Sequence, residues 1–172
     1  MKKAFLATSL FLCFILSGTS AQAQVPGSIL SVALLGGVQK SNLDGVGGGT
    51  FLAIRGSFSN FFAEIRHASW GNNNSYVHES GILAGADFAV WHLMISGAVG
   101  VGTSTYQSPA VLGTLPPTID YRGLIFDAQA LYQIEIVTGV ATIGIGVNYV
   151  GELNTVAPIS GIGAVAVVSL GI

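Results

Sequence analysis

Ser57-Phe58-Ser59-Asn60-Phe61-Phe62 decides how the rest of the chain is read. A two-residue turn at Ser59-Asn60 folds its flanks onto each other. Phe58 then faces Phe61, Ser57 faces Phe62 and Arg55 faces Glu64. Directly opposed residues of an antiparallel pair share a face and interact. One face of this hairpin holds Leu52, Ile54, Phe58, Phe61, Ala63 and Ile65, while the other holds the Arg55–Glu64 pair. The charged face needs a sheltered, partnered interior and the apolar face needs a non-aqueous surrounding. That is one wall of a barrel set in a membrane.

The composition around the hairpin agrees. Lys2 and Lys3 precede an apolar run, Ala4 to Leu16, which is too short to span as a helix. Ala21-Gln22-Ala23 is a small-x-small cleavage site, so residues 1–23 read as an export signal and 24–172 as the mature domain. Cys13, the single cysteine, leaves with the signal. The mature part carries Lys40, Arg55, Arg66 and Arg122 against eight acids, a net charge of −4. That balance argues against nucleic acid, which calls for a basic patch. The chain is 51% hydrophobic and only 8% charged, far below the roughly 25% charged of a soluble domain. Past the signal no run of about 18 apolar residues is present to form a membrane helix. A closed β-barrel is the other structure that satisfies every backbone group in lipid.

Eight alternating segments follow the signal: about 28–39, 48–58, 61–70, 80–90, 93–104, 119–134, 137–150 and 159–172. The turns at Ser59-Asn60, Trp91-His92 and Glu135-Ile136 are short. The connections Lys40–Gly47, Gly71–Glu79, Thr105–Thr118 and Gly151–Pro158 are long. Short turns at one rim and long loops at the other characterise outer-membrane barrels, the short turns being periplasmic. The predicted fold is all-β, an eight-stranded antiparallel up-and-down transmembrane barrel. Phe58, Phe61, Trp91 and Tyr132 read as an aromatic girdle at the short-turn rim, and Trp70, Tyr106, Tyr121 and Tyr149 as one near the other.

This patterning resembles the small eight-stranded outer-membrane barrels of the OmpA and OmpX kind, across the mature length. The resemblance implies a bacterial outer-membrane location, contact with outer-membrane lipid and lipopolysaccharide, and insertion by the barrel assembly machinery. A barrel of eight strands has an interior just wide enough for side chains to fill. Arg55, Glu64, Arg66, Asp87, Asp127 and Gln129 face inward by parity and read as a buried ion-pair and hydrogen-bond network.

One constellation points to chemistry. His67 and Ser69 are two apart and share the lipid-facing side, with Glu79 beyond the next connection. A serine activated by a histidine that an acid orients is nucleophile logic. The stretch resembles the His-x-Ser motif of outer-membrane lipid A deacylases. That resemblance implies Ser69 as nucleophile, His67 as base and Glu79 as orienting acid. Trp70 stands where that family has asparagine. The plainer reading makes His67 an amphipathic anchor beside Trp70 in the headgroup belt. The glycines from Gly45 to Gly49 lack the lysine and the following helix of a phosphate loop, and nothing completes a metal set around His78 and Glu79. No cofactor is implied. The leading functional reading is a non-enzymatic envelope protein, structural or presenting its loops for contact with an extracellular partner that the loop sequences do not name. The alternatives are the deacylase and a narrow channel or transporter of small hydrophobic molecules.

Overall fold

A computed structural model describes residues 29–42, 47–71, 76–107, 118–153 and 159–172. The expected export signal, and the tips of the four long connections, lie outside the described residues.

Period-two alternation makes eight strands: β1 (Leu30–Ser41), β2 (Gly48–Phe58), β3 (Phe61–Gly71), β4 (Tyr76–Val90), β5 (Leu93–Gln107), β6 (Thr118–Val137), β7 (Ala141–Leu153) and β8 (Ile159–Gly171). Each pairs antiparallel with its sequence neighbour, and β1 pairs with β8 to close the barrel. Closure removes the exposed edges that an open sheet presents. The hairpin that organised the sequence has the expected register, with Arg55 opposite Glu64 and Phe58 opposite Phe61. The β4–β5 hairpin likewise pairs Val90 with Leu93 and Asp87 with Ser96.

The first residues of these two tight turns, Ser59 and Trp91, have φ of 54° and 62°. Positive φ there matches the twist of the flanking strands, although glycine usually supplies it. The third short connection differs from the expected one. β6 runs on to Val137, the turn is Thr138–Val140, and Ile134 pairs with Ile143 rather than with Val137. Gly139 supplies the left-handed residue (φ 70°) and the register slips between Glu135 and Val137. A three-residue turn with a bulge is a standard hairpin solution. The pairing moves by an even number of residues, so the faces of β7 stay as expected.

The two surfaces of the wall are chemically opposite. Leu34, Ile54, Ile65, Ile82, Val101, Ile145 and Val168 point outward and are half or more exposed, while Arg55, Glu64, Arg66 and Asp87 are buried inside. Leu35, Leu83, Met94, Ile125, Leu131 and Val150 fill the rest of the interior. Gly81 and Gly102 also turn inward on neighbouring strands, and a Cβ on either would overlap Ile125. An apolar outer band around a packed polar lumen is the architecture of a transmembrane barrel.

Three aromatic assignments change. Trp70 and Tyr121 are buried inside the barrel and Tyr106 packs against the same core, because each alternates in phase with the inward set of its strand. Phe58, Phe61, Trp91 and Tyr132 do stand exposed at the short-turn rim, and Tyr149 is exposed on the outer wall.

Candidate functional site

The lumen is organised by two arginines, one from each strand of the founding hairpin. Arg55 on β2 donates through Nε and Nη2 to Glu64 Oε2 at 2.8 and 2.7 Å. Its Nη1 reaches Asp87 Oδ1 and Ser96 Oγ, both at 3.3 Å, and Nη2 reaches Gln129 Oε1 at 3.0 Å. One guanidinium therefore ties β2 to β3, β4, β5 and β6. Arg66 on β3 donates to Asp127 Oδ2 at 2.7 Å and to Gln39 Oε1 at 2.9 Å, and its Nε lies 3.4 Å from Glu79 Oε1. Gln129 Nε2 donates to Asp127 Oδ2 at 3.1 Å and joins the two hubs. Each guanidinium also lies over an aromatic ring, Arg55 over Phe62 at 3.8 Å and Arg66 over Phe51 at 4.4 Å. The planar fork of arginine suits this multi-partner role, and lysine would not reproduce it.

Arg55, Glu64, Arg66, Asp87, Asp127 and Gln129 thus meet in one cluster. Gln39, Trp70, Ser96 and Glu79 belong to it as well. Gln39 Oε1 accepts from Trp70 Nε1 at 3.1 Å, and higher in the lumen Ser104 donates to Glu152 Oε2 at 2.7 Å. Inward parity alone could have flagged these residues, since each falls in phase with the polar set.

His67 and Ser69 stand on the outer face, as their parity required. His67 Nδ1 and Ser80 Oγ are 2.9 Å apart, and the His67 and His78 rings stack at 6.2 Å between centroids. Glu79 does not join them. It lies on β4 rather than in a loop, points into the lumen and pairs with Arg66. The wall of the barrel separates its carboxylate from the outward His67, so the expected orientation of His67 by Glu79 is corrected. Trp70, the expected neighbour of His67 in a headgroup belt, is on the inside too.

The outer wall carries a second feature at this height. One row of paired residues reads His67, Ser80, Thr103 and Arg122 across β3 to β6. The row below reads Ile65, Ile82, Val101, Leu124 and Leu153 across β3 to β7. A shallow trough of about 850 Å³ opens between the two rows. The small side chains of Ser80 and Thr103, flanked by the larger His67 and Arg122, leave that space. Among the described residues no group of histidine, cysteine and carboxylate side chains is placed to hold a metal.

No family model and no curated protein matches the sequence. Solved structures do. Neisserial surface protein A (NspA) is 16% identical with a TM-score of 0.56, over 84% of this chain and 98% of its own. The N-terminal β-barrel domain of Pseudomonas aeruginosa OprF is 9% identical with a TM-score of 0.61, over 81% and 97%. Ail, the attachment invasion locus protein of Yersinia pestis, is 13% identical with a TM-score of 0.55, over 82% and 97%. The fold is that of the small outer-membrane barrels. Ail is also known in complex with the heparin analogue sucrose octasulfate. At these identities the likeness carries the fold.

Proposed function

We propose that this chain is a surface protein of a bacterial outer membrane, exported on residues 1–23, which strengthens the envelope and presents its long connections for contact. The observation that carries this reading is the crossed lumen. Arg55 and Arg66 bridge the bore to acids from β3, β4 and β6, and a bore of this size leaves little room beyond its side chains. The lumen is built as a structural plug, which favours contact at the rim over conduction. With Glu79 turned inside and paired with Arg66, the expected triad lacks its acid, and the enzymatic reading loses its main support.

The long connections set the kind of contact. Residues 43–46, 72–75, 108–117 and 154–158 contain no lysine or arginine. They are rich in asparagine, proline and small residues. Sulfated polyanions of the kind bound to Ail would find no cation on these segments, so we assign them to neutral, hydrogen-bonding and apolar contacts.

Two experiments test the reading. Protease treatment of intact cells should cut within 108–117 and leave a protected barrel fragment. Refolded protein in a planar bilayer should show no steady conductance, and stable stepwise currents would overturn the plugged-lumen reading.

A further inference from the structure

We propose that the trough on the outer wall between β3 and β6 is a docking site for a diphosphorylated, acylated glycolipid of the lipid A type. The inference rests on the outer-membrane reading above, because it places the long-connection rim at the external leaflet.

Arg122 carries the argument. It is exposed on the outer face of β6, two residues above Leu124, where the apolar band ends. Its side chain makes no hydrogen bond or ion pair with another described residue, in contrast to both lumen arginines. A charged side chain facing lipid needs a partner or a reason. An arginine presents a fork matched to phosphate, and the headgroup level is where lipid phosphate lies.

Three further features shape the ligand. First, His67 stands at the other end of the same row, three strands away, roughly 14 Å at sheet spacing. One phosphate cannot bridge that span, but two anionic groups on one headgroup can. His67 uses Nδ1 toward Ser80, which leaves Nε2 directed elsewhere. Second, the row beneath is wholly apolar and continues into the lipid-facing band, a surface for acyl chains. Third, the row above pairs Thr50, Ser69, His78, Thr105 and Asp120 across β2 to β6. Thr105 Oγ1 donates to Asp120 Oδ1 at 2.7 Å, and the Tyr76 and His78 rings sit 4.9 Å apart. Hydroxyls, a carboxylate and ring faces suit the several hydroxyls of a sugar, more than a simple phospholipid headgroup offers. Phosphate, sugar and acyl chain are thus each met at the height where a glycolipid would carry them.

The test titrates refolded mature barrel in zwitterionic detergent with diphosphoryl lipid A, monophosphoryl lipid A and phosphatidylglycerol, read by native mass spectrometry. The unmutated barrel should retain one diphosphoryl lipid A in preference to the other two. Arg122→Gln should weaken that binding roughly tenfold or more, and Thr103→Trp, which fills the trough and leaves Arg122 in place, should abolish it. Lys40→Gln, on the outer face of β1 away from the trough, should bind normally. Unmutated affinity in both trough variants, or phosphatidylglycerol held as tightly as lipid A, would overturn the proposal. The heat-dependent gel mobility of each preparation reports the barrel itself. A folded barrel without lipid selectivity counts against the docking site alone, and an unfolded chain counts against the outer-membrane reading.

Discussion

Arg55 shows what a single residue does here. Its guanidinium is the common partner of Glu64, Asp87, Ser96 and Gln129, all of them buried inside the barrel. Removing it strands two buried carboxylates at once. Arg55→Ala should destabilise the barrel by about 3–5 kcal/mol, read as a lower urea midpoint in lipid vesicles. Arg55→Lys should fall between, because an ammonium cannot serve the same partners from one plane. Gly139 makes a different point. Its φ of 70° is costly for a residue with a Cβ, so Gly139→Ala should cost about 1–2 kcal/mol. Gly56→Ala is the control, since a Cβ there meets nothing within 4 Å, and it should be close to neutral.

At the scale of the element, the strands keep period two throughout the wall, broken only by the bulge near the end of β6 among the described residues, and that is why so much was legible. The partners Arg55 and Glu64 could be named because a two-residue turn fixes register, and register fixes faces. The same rule assigned His67 and Ser69 to the outer wall. It failed where an element boundary was misplaced. β4 begins at Tyr76 rather than Ser80, which brings Glu79 out of the expected loop and into the inward phase of the strand. The β6–β7 turn is hidden in the sequence because the alternation continues through Ile136 and conceals the stop, while the glycine that makes the turn lies later, at Gly139. Contacts across the lumen, such as Arg66 with Asp127 or Gln39 with Trp70, were out of reach of strand pairing, which relates only neighbours in the sheet. The trough was partly legible. Arg122 shares parity with Leu124 and Phe126, and a cation in that phase was the signal. The lipid-facing phase also gives a depth test. Val99 is half exposed near mid-wall and Val90 lies at the short-turn rim. Val99→Arg should cost about 2–4 kcal/mol and Val90→Arg at most about 1 kcal/mol, measured by equilibrium unfolding from lipid vesicles.

The whole molecule inverts the arrangement of a soluble protein. Most of the charges among its described residues are gathered in the lumen, where two arginines cross-link most of the strands, and an apolar band faces outward. Closure of β1 onto β8 makes the inversion tenable by pairing every strand edge. The outer-rim connections and the trough on one wall then become the surfaces available for work. All of this depends on one claim, that successive residues of a strand face lumen and lipid in turn. β8 offers the cleanest place to measure it. Val165 and Val167 point inward, Ala166 and Val168 point outward, and none of the four belongs to the ionic network. Residues 24–172 contain no cysteine, so in protein refolded from that span single cysteines at these positions can carry a spin label without background. In refolded barrel in lipid vesicles, labels at 166 and 168 should be highly accessible to oxygen dissolved in the lipid, and labels at 165 and 167 should be shielded from it. Uniform accessibility along the four positions, or alternation in the opposite phase, would contradict the account.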